Sequence, residues 1–239
     1  MNFLVITHLG LGDMINMNGL VRYIASMSEN VFVVCKNRNM VNVGVMYQDD
    51  QKIKLVSIHD DDSDIGTYLN VKAGDYIDGV RITNVVRTGC WEGHSDFSDI
   101  PDCFYYNMGL DNRIRNNFFR LPSNIEQMSP PTIPYIFTQV VSSTTSNNTI
   151  INWDLDKTLT IDPNKNLYHE EHPFYKLADI YVGKPFFSYV KLLEKAEEIH
   201  LLNSSFQCLA IYLNLKAKVK KCYDRDTGKE DAHFTKQLN

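Results

Sequence analysis

The chain has 239 residues, 44% of them hydrophobic, which is enough to bury one substantial core or two small ones. Its net charge is −5, and its lysines and arginines are spread along the chain, so we do not expect nucleic-acid binding. No apolar run approaches the roughly 20 residues that span a bilayer, and no basic region precedes the first apolar run. We therefore expect a cytoplasmic protein without a transmembrane segment or a signal peptide.

The five cysteines are widely spaced and form no CxxC pair, a pattern that indicates neither a disulfide framework nor a zinc site. They are Cys35, Cys90, Cys103, Cys208 and Cys222. We expect reduced thiols, with Cys35 and Cys208 in the core.

The first half alternates short apolar runs with helical patterns, which is typical of βαβ units and a parallel sheet. Apolar runs predict strands at 3–6, 31–34, 53–58 and 82–86. Apolar residues at helical spacing predict helices over about 14–24 and 40–47. The acidic stretch 59–64 predicts a solvated loop that caps the next helix.

A helical pattern over about 95–129 ends at Ser129-Pro130-Pro131, where proline removes amide donors and restricts its neighbours. We place the domain boundary there. The α/β pattern then resumes, with a polar loop at 142–149. Predicted strands lie at 135–140, 158–161, 198–202 and 219–223, and predicted helices at 187–196 and 205–213. The charged tail 224–239 predicts a loosely ordered end.

The strongest local signal is the passage from His8 to Asp13, where a buried strand runs through HLGLGD directly into an amphipathic helix. Ligands of open α/β sheets bind outside the carboxyl ends of the strands. Gly10 and Gly12 allow a sharp turn and a close approach to a ligand, and the first amides of the helix carry partial positive charge. The GxGD spacing lacks the third glycine of GxGxxG, which disfavours a dinucleotide site.

Asp13 is our candidate general base, with its carboxylate in reach of an acceptor hydroxyl. The alternative is an N-cap or first-turn acid that only satisfies helix amides. His8 and Asn16 are the further candidates on this acceptor side, although a single histidine at a strand end is more often structural.

A second strand, polar turn and helix follow one another in EEIHLLNSSFQCLAIYL. Asn203, Ser204 and Ser205 place small hydrogen-bonding groups at the helix start, where the amides of Ser205 and Phe206 can receive a diphosphate. Ordinary N-capping is the alternative. Because each half offers such a helix start, we expect two Rossmann-like α/β/α domains, 1–129 and 130–239, that face each other across a cleft.

The first strand, the loop ending in Gly12-Asp13 and the following helix resemble the opening of glycosyltransferase family 9, the heptosyltransferase-like enzymes with the GT-B fold. In that family an aspartate directly after a glycine in this loop is the catalytic base, and Asp13 is the matching position. Part of the second half resembles the donor-binding half of small polysaccharide-biosynthesis transferases of GT-B type. The matching positions are Asn164 through Phe174, Ala178, Asp179, Ala196, His200, Ser204 and Ser205.

The resemblance implies a hexosyl- or heptosyl-type glycosyltransferase that displaces the diphosphate of a nucleotide-sugar donor by the hydroxyl of a glycan or other acceptor. Its domains are then an acceptor-side domain 1–129 and a donor domain 130–239, with Thr138 and Asn164 joining the helix start at Asn203 to Phe206 as donor-binding residues. Heptosyltransferases are generally longer, and Thr138-Gln139-Val140-Val141 brings no lysine or arginine to offset phosphate charge.

No metal and no cofactor other than the nucleotide sugar as co-substrate are expected. Asp60-Asp61-Asp62 and Asp154-x-Asp156 contain the letters of a metal-binding DxD triplet, but both lie in charged stretches that predict loops. A non-catalytic nucleotide- or glycan-binding protein of the same fold is the alternative function, and a Rossmann-type oxidoreductase ranks third. The sequence does not indicate the oligomeric state.

Overall fold

The computed structural model of the protein describes residues 1–88, 104–106, 108–140 and 154–239. These residues form two compact units, Met1–Ile125 and Glu126–Asn239. The expectations for Cys90, Cys103 and the polar loop 142–149 lie outside the described residues.

The first unit is built on a parallel four-stranded sheet of order β3-β2-β1-β6. The unit also has a short antiparallel hairpin formed by β4 and β5, which the sequence did not predict. The strands are β1 (Asn2–Ile6), β2 (Asn30–Lys36), β3 (Ile53–Ile58), β4 (Tyr76–Ile77), β5 (Val80–Arg81) and β6 (Asn84–Arg87). All four predicted strands form because their apolar residues are buried, as Leu4 and Phe32 illustrate.

The second unit is built on another parallel four-stranded sheet, of order β10-β9-β7-β8. Its strands are β7 (Tyr135–Gln139), β8 (Leu159–Ile161), β9 (Glu198–Leu202) and β10 (Val219–Tyr223). Two units, each with a parallel sheet and helical connections, confirm the predicted α/β class with Rossmann-like units.

Besides the short helical piece 104–106, nine α-helices and two 3₁₀ helices lie within the described parts of the chain. The α-helices are α1 (Leu11–Asn16), α2 (Asn18–Ser26), α3 (Met40–Tyr47), α4 (Ile65–Leu69), α5 (Arg113–Phe118), α6 (Tyr175–Asp179), α7 (Val190–Lys195), α8 (Ser205–Ala210) and α9 (Ala232–Leu238). The 3₁₀ helices are Asn37–Asn39 and Phe186–Tyr189. None of these described helices has the length and apolar character needed to cross a membrane.

The single helix predicted over 14–24 is instead two helices, separated at Met17. Buried Tyr105 bonds to both of them: its hydroxyl donates to the Asn16 carbonyl at 2.9 Å and accepts from the Leu20 amide at 3.1 Å. Gly19, in the first turn of α2, lies so close to α5 that a Cβ atom would be 2.4 Å from the Arg115 carbonyl oxygen. The break therefore depends on contacts with residues about 90 positions away, which periodicity does not record.

The prediction of a loosely ordered tail is wrong, because α9 forms within it. The carboxylate of Asp231 caps this helix by accepting from the amides of His233 and Phe234 at 3.0 and 3.2 Å. Leu238 is buried, and the Thr235 hydroxyl accepts from the backbone of β10. The cysteine prediction also needs correction: Cys35 is buried, but Cys208 is only partly so, and Cys222 is the second core thiol.

Candidate active site

In each sheet, the chain adds strands first on one side of its first strand and then on the other side. Open α/β sheets bind ligands at the carboxyl ends of the two strands between which this reversal occurs. In the first unit the reversal lies between β1 and β6, and in the second it lies between β7 and β9. The loop that contains His8 and Gly10 follows β1, and Ser204 follows β9. The sequence therefore places its two main signals beside the reversal points.

Asp13 lies in the first turn of α1 and is partly exposed. Gly10 is the N-cap residue of that helix, with an extended backbone at φ −71°. A Cβ atom on Gly10 would lie only 2.8 Å from Asp13 Oδ2, so the carboxylate folds back over the glycine. The missing Cβ of Gly10 leaves room for the carboxylate in this position, and the backbone here is not left-handed.

The position of Asp13 is compatible with both predicted roles. Its backbone carbonyl accepts from the Met17 amide at 2.9 Å, so the residue is an integral part of the short helix α1. A carboxylate in a first turn interacts favourably with the helix dipole, and a partly exposed carboxylate at a strand end can take a proton from a ligand. Gly12 lies beside it in the helix, not in the turn before it.

The loop between β1 and α1 is fixed by neighbouring side chains. Thr7 Oγ1 donates to the His8 carbonyl at 2.8 Å, and Asn39 Nδ2 donates to the Leu9 carbonyl at 3.0 Å. The His8 ring packs edge-on against Phe104 with centroids 5.7 Å apart, and partial burial lowers the pKa of His8. His8 thus belongs to the same loop as the candidate base.

Asn16 differs from the rest of the predicted acceptor-side set. It ends α1 and is buried, at 3% exposed, whereas His8, Gly10, Gly12 and Asp13 are all partly exposed. The structure therefore brings these four residues together on one loop and helix start, and places Asn16 deeper in the unit.

Sequence reasoning missed an ion pair at the same edge of the first sheet. Lys36 ends β2 and is buried, and its Nζ lies 2.7 Å from Asp62 Oδ2. Asp62 adopts a left-handed backbone with φ 63°. The stretch 59–64 is mostly exposed, as predicted, but Asp62 is partly buried by this ion pair. A lysine that closes a buried strand was the available signal.

The second unit presents the predicted serine turn after β9. Ser204 is the N-cap residue of α8, but within the described residues its hydroxyl makes no bond to the helix amides. The hydroxyl donates instead to Gln139 Oε1, at the end of β7. This contact joins the two strand ends beside the reversal point and leaves the first turn of α8 without a side-chain cap. Asn203 and Ser205 flank Ser204 and are partly exposed.

Two predicted donor-binding residues have buried side chains with structural partners. Phe206 packs among Phe137, Phe186 and Tyr189, with ring centroids 4.5 to 5.6 Å away, so only its backbone amide belongs to the helix start. Thr138 is fully buried, and its hydroxyl donates to the His200 carbonyl at 3.1 Å.

The last predicted donor residue, Asn164, is exposed in the turn that follows β8. Its backbone amide donates to Asp162 Oδ1 at 2.8 Å, while Asp162 Oδ2 accepts from the Val140 amide at 2.8 Å. Asp162 is 3% exposed, and burial raises its pKa to about 6 in spite of these bonds. Asp162 was not among the predicted site residues, although an acid directly after the predicted strand 158–161 was a visible signal.

Within the described ranges, no group of three or more histidine, cysteine, aspartate or glutamate side chains could hold a metal ion. The expectation of a metal-independent protein stays a prediction.

No family model matches the chain, and no curated protein matches it. Solved structures do resemble it. The crystal structure of TibC, a bacterial iron-containing dodecameric glycosyltransferase from enterotoxigenic E. coli H10407, matches 91% of this chain with a TM-score of 0.54 and 13% identity. A structure of the heptosyltransferase TibC in complex with ADP-D-beta-D-heptose matches 93% with a TM-score of 0.53 and 12% identity.

The E. coli heptosyltransferase WaaC with ADP aligns over 100% of this chain and 96% of its own, with a TM-score of 0.46 and 11% identity. This chain spans 57% of the length of TibC. The similarity to TibC shows that the fold is the GT-B type that the sequence resemblance implied. At these identities it establishes the fold alone, so activity has to be argued from the residues.

Proposed function

We propose that the chain transfers a sugar from a nucleotide-sugar donor to a hydroxyl of a glycan or other acceptor, with Asp13 as general base. The observation that carries this proposal is the partly exposed Asp13 carboxylate beside the strand reversal of the first sheet, held over Gly10. That is the edge at which α/β proteins bind ligands, and the residue type is one that removes protons in catalysis.

The proposed reaction is one displacement at the anomeric carbon of the donor. Asp13 takes the proton of the acceptor hydroxyl as its oxygen bonds to that carbon, and the bond from the carbon to the diphosphate breaks. The diphosphate leaves with the electron pair. In this proposal residues 1–129 bind the acceptor and residues 130–239 bind the donor.

For the donor, the proposal uses the polar groups at the carboxyl edge of the second sheet. We assign donor binding to the uncapped first turn of α8, to Asn203 and to the exposed Asn164. Helix amides and side-chain amides bind phosphate and sugar oxygens. TibC was crystallised with ADP-D-beta-D-heptose, so ADP-sugars are the first donors to test. Metal independence is part of the proposal, and turnover that survives a chelator is its expected result.

The experiment is a thermal-shift screen of the chain against ADP, UDP, GDP, CDP and dTDP and their sugars, followed by a mass-spectrometric transfer assay with the best donor. A ligand that binds only the folded state raises its stability, by about 2.7 kcal/mol at 100 times its Kd. We expect one nucleotide class to bind and its sugar to be transferred.

Other outcomes separate the alternatives. Donor binding without hydrolysis or transfer would favour a non-catalytic nucleotide- or glycan-binding protein of the same fold. Tight binding of a nicotinamide cofactor with no response to nucleotide sugars would contradict the proposal and favour an oxidoreductase.

A further inference from the structure

Asp162 holds together two strand ends of the second sheet. It follows β8 directly, and its Oδ2 accepts from the amide of Val140, which follows β7. Its Oδ1 accepts from the amide of Asn164 at 2.8 Å, and the Lys165 amide also bonds to the carboxylate. One buried side chain thus fixes the exit of β7 and the turn after β8.

The same edge carries a second connection between strand ends. Gln139 is the last residue of β7 and is buried, and its side-chain oxygen receives the hydroxyl of Ser204 after β9. Val140 is the next residue after Gln139. The carboxyl ends of β8, β7 and β9 are therefore linked in series by Asp162 and Gln139.

We infer that Asp162 is a positioning residue of the donor subsite, whose carboxylate sets the placement of Asn164 and of the β7 end that contacts Ser204. This inference rests on the proposed function, because the groups it positions are those assigned to the donor. Binding sites keep their contacting groups in place by hydrogen bonds from such supporting residues.

The chemistry of the carboxylate explains why an acid stands here. An ionised carboxylate offers only acceptors, and the three groups around it are all backbone donors. An asparagine would turn an NH₂ group towards at least one amide and leave a buried donor unsatisfied. Among the described residues, the charged and titratable groups that face Asp162 are Lys165 and Tyr189.

Asp162→Asn provides the test, with Asp78→Asn as the matched control. Asp78 is an exposed residue in the β4–β5 turn of the first unit, so its replacement removes the same charge elsewhere. The probe is the nucleoside diphosphate that binds best among ADP, UDP, GDP, CDP and dTDP, measured by calorimetry. We expect Asp162→Asn to weaken its binding at about pH 7.5 by about tenfold, the effect of one lost buried hydrogen bond, and Asp78→Asn to leave it unchanged.

A pH comparison distinguishes positioning from simple stabilisation. Protonation of Asp162 removes acceptor capacity, so wild-type affinity is expected to fall between about pH 7.5 and 5. The terminal phosphate of the probe also gains a proton in this range, but it does so equally for both proteins. The Asp162→Asn protein already lacks this contribution at pH 7.5. Its affinity should therefore fall about tenfold less than the wild-type affinity between pH 7.5 and 5.

Weaker binding with a reduced pH response supports the inference. Wild-type affinity of the folded Asp162→Asn protein, or weaker binding that keeps the wild-type pH response, overturns it, whether or not the variant melts earlier. In that case, nucleotide binding and sugar transfer by the wild-type chain leave the proposed function standing. A wild-type chain that binds none of the five probes overturns both.

Discussion

The carboxyl edge of the first sheet holds its candidate base on a loop and short helix start, where Asp13 is partly exposed over a glycine. The carboxyl edge of the second sheet is instead joined by buried side chains, with Asp162 and Gln139 linking three strand ends. An exposed carboxylate can exchange protons with a ligand, whereas buried links hold backbone groups in place. The proposed function assigns the chemistry to the first edge and the binding of the donor to the second, and this difference in burial supports that assignment.

If the second edge depends on packing, its aromatic anchor should be critical for stability. Phe206→Ala removes a ring packed against Phe137, Phe186 and Tyr189, and we expect the free energy of unfolding to fall by about 3–5 kcal/mol. Chemical denaturation measures this loss, and hydrogen exchange assigns it to the second unit. Tyr76→Ala, at a side chain that is 67% exposed, is the control and should change stability by less than about 0.5 kcal/mol. Equal effects of the two substitutions would contradict the packing at this edge.

The first unit should be sensitive where two helices meet closely. Gly19→Ala places a Cβ 2.4 Å from the Arg115 carbonyl oxygen, and because backbone atoms yield little, we expect a loss of about 1–3 kcal/mol. Gly44→Ala in α3 is matched, since its nearest described atom would be 3.9 Å away. That control should be neutral or stabilising by up to about 1 kcal/mol, because alanine favours a helix. Thermal melts of the two variants compare them directly, and a Gly19→Ala protein as stable as Gly44→Ala would rule out the close approach.

Gly10→Ala should separate chemistry from stability at the first edge. The added Cβ would lie 2.8 Å from Asp13 Oδ2, and the side chain can move aside at small cost to stability. A displaced catalytic group loses rate, so we expect turnover to fall roughly 10- to 100-fold with little change in melting temperature. Gly66→Ala, which would meet no described atom within 4 Å, should keep wild-type turnover. Wild-type turnover in Gly10→Ala would argue against the position assigned to the carboxylate.

The smallest predicted effect is a pH dependence that the two units share. Burial lowers the pKa of His8 in the first unit and of His200 in the second below their ordinary value of 6.5. The unfolded chain then binds protons more readily, so stability present above pH 6.5 is lost as the pH falls towards the folded pKa. His8→Gln and His200→Gln should each flatten this slope in denaturation curves measured across pH. An unchanged slope in both variants would contradict burial as the cause.

Asp162 should act in the opposite direction at lower pH. Its pKa is raised from 3.8 to about 6, so the folded chain binds the proton more tightly and stability falls as the pH rises through this window. Asp162→Asn removes that contribution. The stability of the variant should therefore fall less steeply than that of the wild type between pH 3.8 and 6. An equally steep fall would show that the Asp162 carboxylate does not cause this loss of stability.

The strands of both sheets could be predicted because apolar runs such as 31–34 are buried on both faces, which is a local property of the sequence. The helix break at Met17 could not, since it depends on Tyr105 and Arg115. The α9 helix was missed because its capping residue, Asp231, is one of several charged residues in 224–231 and was not recognised as an N-cap. At the candidate site, the strand–turn–helix order indicated which loops matter.

The partners of side chains at the site were beyond sequence reasoning. The pairing of Lys36 with Asp62 and the bonds of Asp162 join residues that only the folded strands bring together. The turn of Ser204 towards Gln139 is another such case, because an N-cap serine is ordinarily expected to bond its own helix. Sequence patterns therefore located both edges but did not reveal how each is held.

The most direct test of the account is the turnover of Asp13→Asn, measured with the identified donor and acceptor beside its donor affinity and melting temperature. Asparagine keeps the size and an acceptor oxygen but cannot take the proton, so we expect turnover to fall by about 10²- to 10⁴-fold while donor affinity stays within about twofold. Asp78→Asn should match the wild type in all three measurements. Retained turnover in Asp13→Asn, or loss of donor binding together with turnover, would contradict the assignment of Asp13 as the base.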